Sequence, residues 1–303
     1  MVNLSVKIGK LKLQNPVMVA SGTFGAEYGE LVDIDKLGAI VLKTVTLLPR
    51  SGNPPPRIME TASGMLNSIG LENKGIDDFI KNKIPALNKC KTVVIASIAG
   101  SNEAEYIKLT KRLDAVKRID ALEINLSCPN IRHGDREDLI AQDAEATRAI
   151  IKGVRAGTAK TIIAKLAPNV TDIAKIAGAA EDAGADAVLI ANTFFGMAID
   201  IETKRPKLGN ITGGLSGPAI KPLVLHMVAQ AYKKIRIPII GCGGITDYED
   251  ALEFILAGAS AVQIGTANFV NPGVAAETID GIKEYMIKNK IANLNDLVGA
   301  LKI

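Results

Sequence analysis

A thiol, two lysines and a set of carboxamides have the widest chemical reach in this chain. Cys128 ends the run Glu123-Ile-Asn-Leu-Ser-Cys-Pro-Asn130. Ala121 to Leu126 has the length and apolar content of a buried strand, and Pro129 cannot donate a ladder hydrogen bond. The strand should therefore stop near Cys128 and leave the thiol at a loop mouth, where it can take a proton if its surroundings favour the thiolate. Ile131-Arg-His-Gly-Asp135 follows, mixing charge, imidazole and glycine as a covering loop does. Taken alone, a single cysteine is more often a small buried hydrophobe. Lys43 and Lys165 each close an apolar stretch, where an ammonium is costly unless an anion or partial negative charge meets it; the alternative is a stem reaching to solvent. Asparagines at 67, 125, 130 and 192, the last followed by Thr193, offer donor and acceptor together. That suits an imide-like ring, although a single loop asparagine usually makes a turn. Gly241-Cys-Gly-Gly244, Gly265-Thr266 and Gly214-Leu-Ser-Gly217 allow backbone N–H groups to approach phosphate oxygens. Cys242 sits inside one of these turns with no acid–base partner in view. Cys90 falls between a helix and a strand, and His226 reads as structural within its helix.

These residues need a scaffold that brings strand ends together. Apolar strand candidates fall at 17–20, 39–43, 93–98, 121–126, 162–166, 187–191, 238–241 and 261–264. Helix-period stretches occupy 76–88, 103–116, 144–155, 172–183, 220–235, 247–257 and 274–289. Lys36-Leu-Gly-Ala-Ile-Val-Leu-Lys43, Asp182-Ala-Gly-Ala-Asp-Ala-Val-Leu-Ile190 and Leu256-Ala-Gly-Ala-Ser-Ala-Val-Gln-Ile264 repeat one unit, with glycine just past a helix where a left-handed residue is needed. Eight strands alternating with helices predict an α/β chain of the (β/α)₈ barrel type, spanning 1–303 as a single domain. A doubly wound open sheet is the alternative, disfavoured because no G-x-G-x-x-G follows the first strand. Leu4 to Ile8 and Leu11 to Leu13 around Gly9-Lys10 predict an N-terminal hairpin across the bottom. The excursions 44–74 and 192–217 are far longer than plain connections and belong on the catalytic face. The strand-end list is then Ser21, Lys43, Thr44, Asn125, Cys128, Lys165, Asn192, Thr193, Gly243, Gly244, Gly265 and Thr266.

Composition narrows the classes. A formal charge of +4 without a basic run gives little support to nucleic-acid binding and is compatible with an anionic small ligand. Three cysteines with no C-x-x-C pair argue against a disulfide framework and against a zinc or iron–sulfur site, so no metal is expected in this chain. No signal-peptide layout opens it, and no apolar run approaches the roughly 18 residues of a membrane span. A soluble cytoplasmic protein is expected.

Asn125-Leu-Ser-Cys-Pro-Asn130, Asn67-Ser-Ile-Gly-Leu71, Asn192-Thr193, Ile211-Thr-Gly-Gly-Leu-Ser-Gly-Pro218 and Gly243-Gly-Ile245 together resemble class 1 dihydroorotate dehydrogenases, almost end to end. Leu48-Pro-Arg-Ser-Gly-Asn-Pro-Pro-Pro-Arg57 and Ile131-Arg-His-Gly134 look like class 1B, the NAD-linked catalytic subunit. The resemblance implies flavin mononucleotide (FMN), one per chain, on the barrel and oxidation of dihydroorotate to orotate in pyrimidine (UMP) biosynthesis. Cys128 would remove the C5 proton while hydride passes from C6 to flavin N5. Ser21, Lys43, Thr44, Asn125, Lys165, Ala191, Gly217, Gly243, Gly244, Gly265 and Thr266 would hold the flavin. Lys43, Asn67, Ser68, Ile69, Gly70, Leu71, Asn125, Asn192 and Thr193 would hold the substrate. It further implies a homodimer within a heterotetramer, whose electron-transfer subunit carries FAD and a [2Fe-2S] cluster and passes electrons to NAD. Two departures stand out: Ser97 replaces a frequent asparagine, and Asp135 replaces a second lid glycine. The competing expectations are the fumarate-using class 1A, an enzyme of reduced pyrimidine bases, and a flavin- or phosphate-binding barrel without turnover.

Overall fold

The computed structural model of the protein describes residues 2–126 and 142–302. Cys128, Asn130, His133 and Asp135 lie outside the described residues. Among those described, eight parallel strands close into a barrel in chain order: β1 (Val17–Val19), β2 (Ala39–Val41), β3 (Val93–Ile98), β4 (Ala121–Asn125), β5 (Thr161–Lys165), β6 (Ala187–Ile190), β7 (Ile239–Gly241) and β8 (Ala259–Ile264). Each expected strand is present within two residues at either end. The strands are buried along nearly their whole length, because the interior takes one set of side chains and the surrounding helices take the other.

Helix starts follow side-chain caps. Asn102, Asp143, Asp172 and Asp247 accept hydrogen bonds from backbone N–H groups two or three residues on, ahead of Glu103–Asp114, Ala144–Gly157, Ile173–Asp182 and Tyr248–Leu256. Each such cap contributes about 1 kcal/mol. The expected helix over 76–88 is instead a broken coil: an α turn at Gly75–Asp78, a wider π turn at Phe79–Lys83 and a 3₁₀ turn at Ile84–Leu87. Pro85 explains the break, since it has no N–H and its ring clashes with the preceding turn. Gly184 and Gly258 take the positive φ expected after their helices, +95° and +120°. Gly38 does not. It lies where a Cβ would sit 2.9 Å from the Val17 carbonyl oxygen, so close backbone approach requires that glycine.

The N-terminal hairpin pairs Val6–Ile8 with Leu11–Leu13 and crosses the bottom of the barrel. At its tip the Lys10 N–H donates to Thr161 Oγ1 at 3.0 Å, and Lys10 Nζ donates to the Ala159 carbonyl at 2.6 Å. The two long excursions form one antiparallel sheet, in the order Phe194–Met197, Thr212–Ser216, Gly64–Asn67, Ile58–Thr61.

The bottom plug yields a stability prediction. A Cβ on Gly9, at φ +58°, would lie 2.7 Å from Asp186 Cβ and 2.9 Å from Thr161 Cγ2. Gly9→Ala should cost about 2 kcal/mol. Gly178, inside Ile173–Asp182, has nothing within 4 Å of such an atom, and Gly178→Ala should stabilise by about 0.5–1 kcal/mol. Thermal denaturation of the two variants should shift Tm in opposite directions.

Candidate active site

Strand register decides which side chains share the barrel interior. Ser97 pairs with Glu123 and Asn125 with Lys165, so two polar layers lie one above the other near the C-terminal ends of β3, β4 and β5. Glu123 is fully buried, with 0% of its side chain exposed against 6% for Lys165. Gln263 Nε2 on β8 donates to Glu123 Oε2 on β4 at 3.1 Å. Those strands stand opposite each other in the barrel, so this bond spans its interior. Lys165 Nζ lies 3.7 Å from Glu123 Oε1 and donates to Ser21 Oγ, just beyond β1, at 3.4 Å. That contact also crosses the barrel.

The same end gathers the rest of the strand-end list. Thr44 Oγ1 and Ser97 Oγ share a hydrogen bond of 2.9 Å, and Asn125 Nδ2 donates to Thr44 Oγ1 at 3.4 Å. Tyr106, reaching in from its helix, donates to the Asn125 carbonyl at 2.8 Å. Ser97 thus keeps a polar partner where the resemblance leads one to expect asparagine. Lys43, unlike Lys165, is exposed, and its ammonium lies beside Gly22, 3.3 Å from where a Cβ would stand.

Beyond β7 and β8 the chain turns tightly. Gly243 and Gly244 have φ +147° and +76°, and a Cβ on the latter would come 2.8 Å from the backbone nitrogen of Lys221, the first residue of the helix Lys221–Tyr232. Gly217, at φ +96°, comes close to Gly64, and Thr266 Oγ1 donates to Ser216 Oγ at 2.8 Å, tying the β8 turn to the upper sheet. Among the described residues no carbonyl accepts a hydrogen bond from the N–H of Gly243, Gly244, Gly265 or Thr266. Lys221 is engaged elsewhere, donating to Asp250 at 2.5 Å and Glu253 at 3.1 Å. The hydrogen bond to Asp250 holds the Lys221 ammonium's pKa above its ordinary value.

The upper sheet brings Asn67 to the second excursion. Its Nδ2 donates to the Gly214 carbonyl at 3.3 Å, and a Cβ on Gly214 would overlap the Thr193 hydroxyl. Asn192 Oδ1 accepts from the Thr193 N–H at 2.9 Å. Ser68 is buried, accepting from Asn53 Nδ2 at 2.9 Å, while the Ile69 carbonyl accepts from the Asn53 N–H at 3.1 Å. Gly70 and Leu71 both take positive φ as the chain leaves this segment. The Ala191 N–H donates to the Cys242 carbonyl at 2.9 Å, lacing the ends of β6 and β7.

The thiols divide by environment. Cys242 is buried, and burial pushes its thiol up to about 11, with Lys165 pulling the other way and Glu123 adding to the rise. Cys90 lies below the barrel, its carbonyl accepting from Arg118 at 3.1 Å. His226 is exposed on the outer face of its helix, so it belongs neither to the core nor to this cluster. Sequence reasoning missed Glu123 and Gln263. The available signal was their alternation with Asn125 and Gly265, which places them on the inward face of strands otherwise read as uniformly apolar.

Comparison with known proteins gives this mouth a family. A sequence family described as dihydroorotate dehydrogenase matches residues 3–286. The chain belongs to the dihydroorotate dehydrogenase family. Relatives named "Dihydroorotate dehydrogenase B (NAD(+)), catalytic subunit" include one from Trichlorobacter lovleyi, 52% identical over 99% of this chain and 98% of the relative. Those from Thermoanaerobacter sp. and Bacteroides thetaiotaomicron are 52% and 47% identical, each covering 100% of both chains. A crystal structure of DHODH from Eimeria tenella in complex with ferulenol superposes with a TM-score of 0.81 at 28% identity, covering 98% of this chain and 88% of that one.

Membership implies a flavin cofactor, and the residues present fit one. Among the described residues the glycine turns leave backbone donors without a carbonyl partner, as an anion cradle requires. The Lys165 ammonium supplies positive charge at the mouth. Among the described residues no cluster of His, Cys, Asp and Glu could hold a metal ion, and no helix is long and apolar enough to cross a membrane.

The environment of Cys242 makes it the unreactive thiol. A rise from 9.0 to about 11 leaves it about a hundredfold less ionised below pH 9 than an ordinary thiol. Alkylation of the folded protein at pH 8, mapped by peptide mass, should leave Cys242 unmodified until denaturant is added.

Proposed function

We propose that this chain, working as one domain over 1–303, is the catalytic subunit of an NAD-linked dihydroorotate dehydrogenase, oxidising (S)-dihydroorotate to orotate. The observation that carries the reading is the mouth itself, where Lys165, Asn125, Thr44 and Ser21 meet beside glycine N–H donors without a carbonyl partner among the described residues, in a chain of this family. FMN, when bound, supplies the hydride acceptor. Gly243, Gly244, Gly265 and Thr266 bind its phosphate through backbone N–H groups, with Gly217 shaping the neighbouring turn. Ser21, Lys43, Thr44, Asn125, Lys165 and Ala191 line its remaining contacts.

Cys128 takes the proton from C5 as hydride leaves C6, so that the C5–C6 bond becomes double. A free thiol ionises near pH 8.5, close enough to neutrality for this task once a covering loop excludes water. Asn67, Asn125, Asn192 and Thr193 hold the pyrimidine ring by paired donors and acceptors. Ser68 through Leu71 complete the substrate wall, and Lys43 also holds the substrate. Cys128→Ala should retain flavin and orotate binding while slowing flavin reduction by dihydroorotate about 10²–10⁴-fold. Cys128→Ser should recover slight activity that grows with pH, since a hydroxyl is a far weaker acid than a thiol. Stopped-flow bleaching of the visible band measures both, with Cys242→Ala as control; unchanged reduction in Cys128→Ala would reject the assignment.

The relatives' subunit name implies an electron-transfer partner. We infer that the partner carries FAD and a [2Fe-2S] cluster, that the chain pairs as a homodimer within a heterotetramer, and that the assembly is cytoplasmic. The three cysteines at 90, 128 and 242 are far apart in sequence and one is assigned to catalysis, which supports placing the relay on another polypeptide. Exposed Met197, Ile199 and Ile201 beside the upper sheet support a face covered by another chain. The isolated chain should reduce artificial dyes with dihydroorotate but NAD poorly, and co-expression with the partner should restore NAD reduction. Robust NAD reduction by the isolated chain, or efficient turnover with fumarate, would overturn the subclass.

A further inference from the structure

The inward face of β4 carries a carboxylate where barrel interiors are usually filled by Val, Ile or Leu. Glu123 has no exposed surface, and its two oxygens are used differently. Oε2 accepts from Gln263 across the barrel, whereas Oε1 has no hydrogen-bond donor among the described residues and faces Lys165 Nζ at 3.7 Å. At that distance the carboxylate supplies charge without consuming an ammonium donor. The described contact that does take a Lys165 donor is the neutral Ser21 hydroxyl, at a long 3.4 Å. An ammonium has three donors, so the arrangement neutralises Lys165 from below and keeps N–H groups available above.

We propose that Glu123, steadied from the opposite strand by Gln263, is a positioning residue that keeps the Lys165 ammonium directed to the barrel mouth, and thereby sets the reduction potential of the flavin. The inference rests on the flavin reading above. A buried ammonium without a counter-charge turns away from the site toward water. Without Glu123 the mouth would then lose the cation that stabilises the negative charge reduction places on the ring. A spectator carboxylate has the opposite sign: deleting it would make the mouth more positive and raise the potential. A carboxylate that merely filled space would leave the potential unmoved.

The test measures the midpoint potential of the bound FMN by anaerobic spectroelectrochemistry at one near-neutral pH. Parent, Glu123→Met, Lys165→Met and the double variant are compared, with flavin content and thermal unfolding measured for each. Glu123→Met should lower the potential toward that of Lys165→Met, and the double variant should fall no further. A rise in Glu123→Met, or no shift with flavin retained, would overturn the proposal. Should Glu123→Met not fold, Gln263→Leu releases Oε2 while leaving the charge in place; it should lower the potential by a smaller amount, and an unmoved potential counts against the proposal equally. Thermal unfolding of the flavin-stripped set supplies an arm independent of cofactor. There the double variant should be less destabilised than the sum of the singles, and strict additivity would refute the coupling. Failure of the parent to take up FMN would reject the flavin reading while this arm still decides whether Glu123 and Lys165 act as a pair.

Discussion

A carboxylate and an ammonium held inside an aliphatic barrel constrain everything around them. Moving either ion out of water alone costs several kcal/mol, so Glu123 and Lys165 are tolerable only together. Their other partners come from the opposite wall: Gln263 from β8 and Ser21 from beyond β1. An open sheet would leave those walls apart. Barrel closure and the polar interior are therefore mutually dependent, which is a stronger reason for eight strands to close than their apolar content, since apolar strands also build open sheets.

The two barrel ends answer different requirements. Below, the hairpin covers the strand starts and Lys10 satisfies Thr161 and the Ala159 carbonyl, so the bottom is closed by hydrogen bonds that would otherwise need water. Above, no carbonyl among the described residues takes the N–H groups of Gly243, Gly244 or Gly265, and the two excursions pair with each other in a sheet of their own. Pairing Gly64–Asn67 with Thr212–Ser216 brings side chains nearly 150 positions apart to the same rim; the Asn67–Gly214 hydrogen bond is the direct sign of it.

Much of this was legible in the chain because local rules and tertiary demands agree. Strand ends within a residue of Asn125 and Lys165, helix starts at 172 and 247, and glycines after helices at 184 and 258 each follow from local chemistry. Legibility failed where a residue's meaning depends on a distant partner. Glu123 reads as one polar residue in an apolar run until β8 supplies Gln263. Gly38 reads as a helix terminator, and only the approach of β1 shows that it makes room for backbone. The break at Phe79–Lys83 was available from Pro85 and was outweighed by the apolar spacing around it. The upper sheet was legible as length alone, because antiparallel pairing between separate loops has no local signature.

Lys43 and Lys165 show how position converts identical side chains into different devices. Lys165 ends its barrel strand and Lys43 lies two residues past one, yet Lys43 is exposed while Lys165 is enclosed. A lysine on an exposed position keeps part of its hydration, so less of its charge has to be met by the protein. An enclosed one is already fixed, so a ligand meeting it costs little rotamer entropy, but its charge has to be met by another residue. One rim can thus offer a cation on an exposed residue and a preorganised cation toward the interior. The second is possible only because β4 contributes a carboxylate at a position that barrel packing alone would fill with a hydrocarbon.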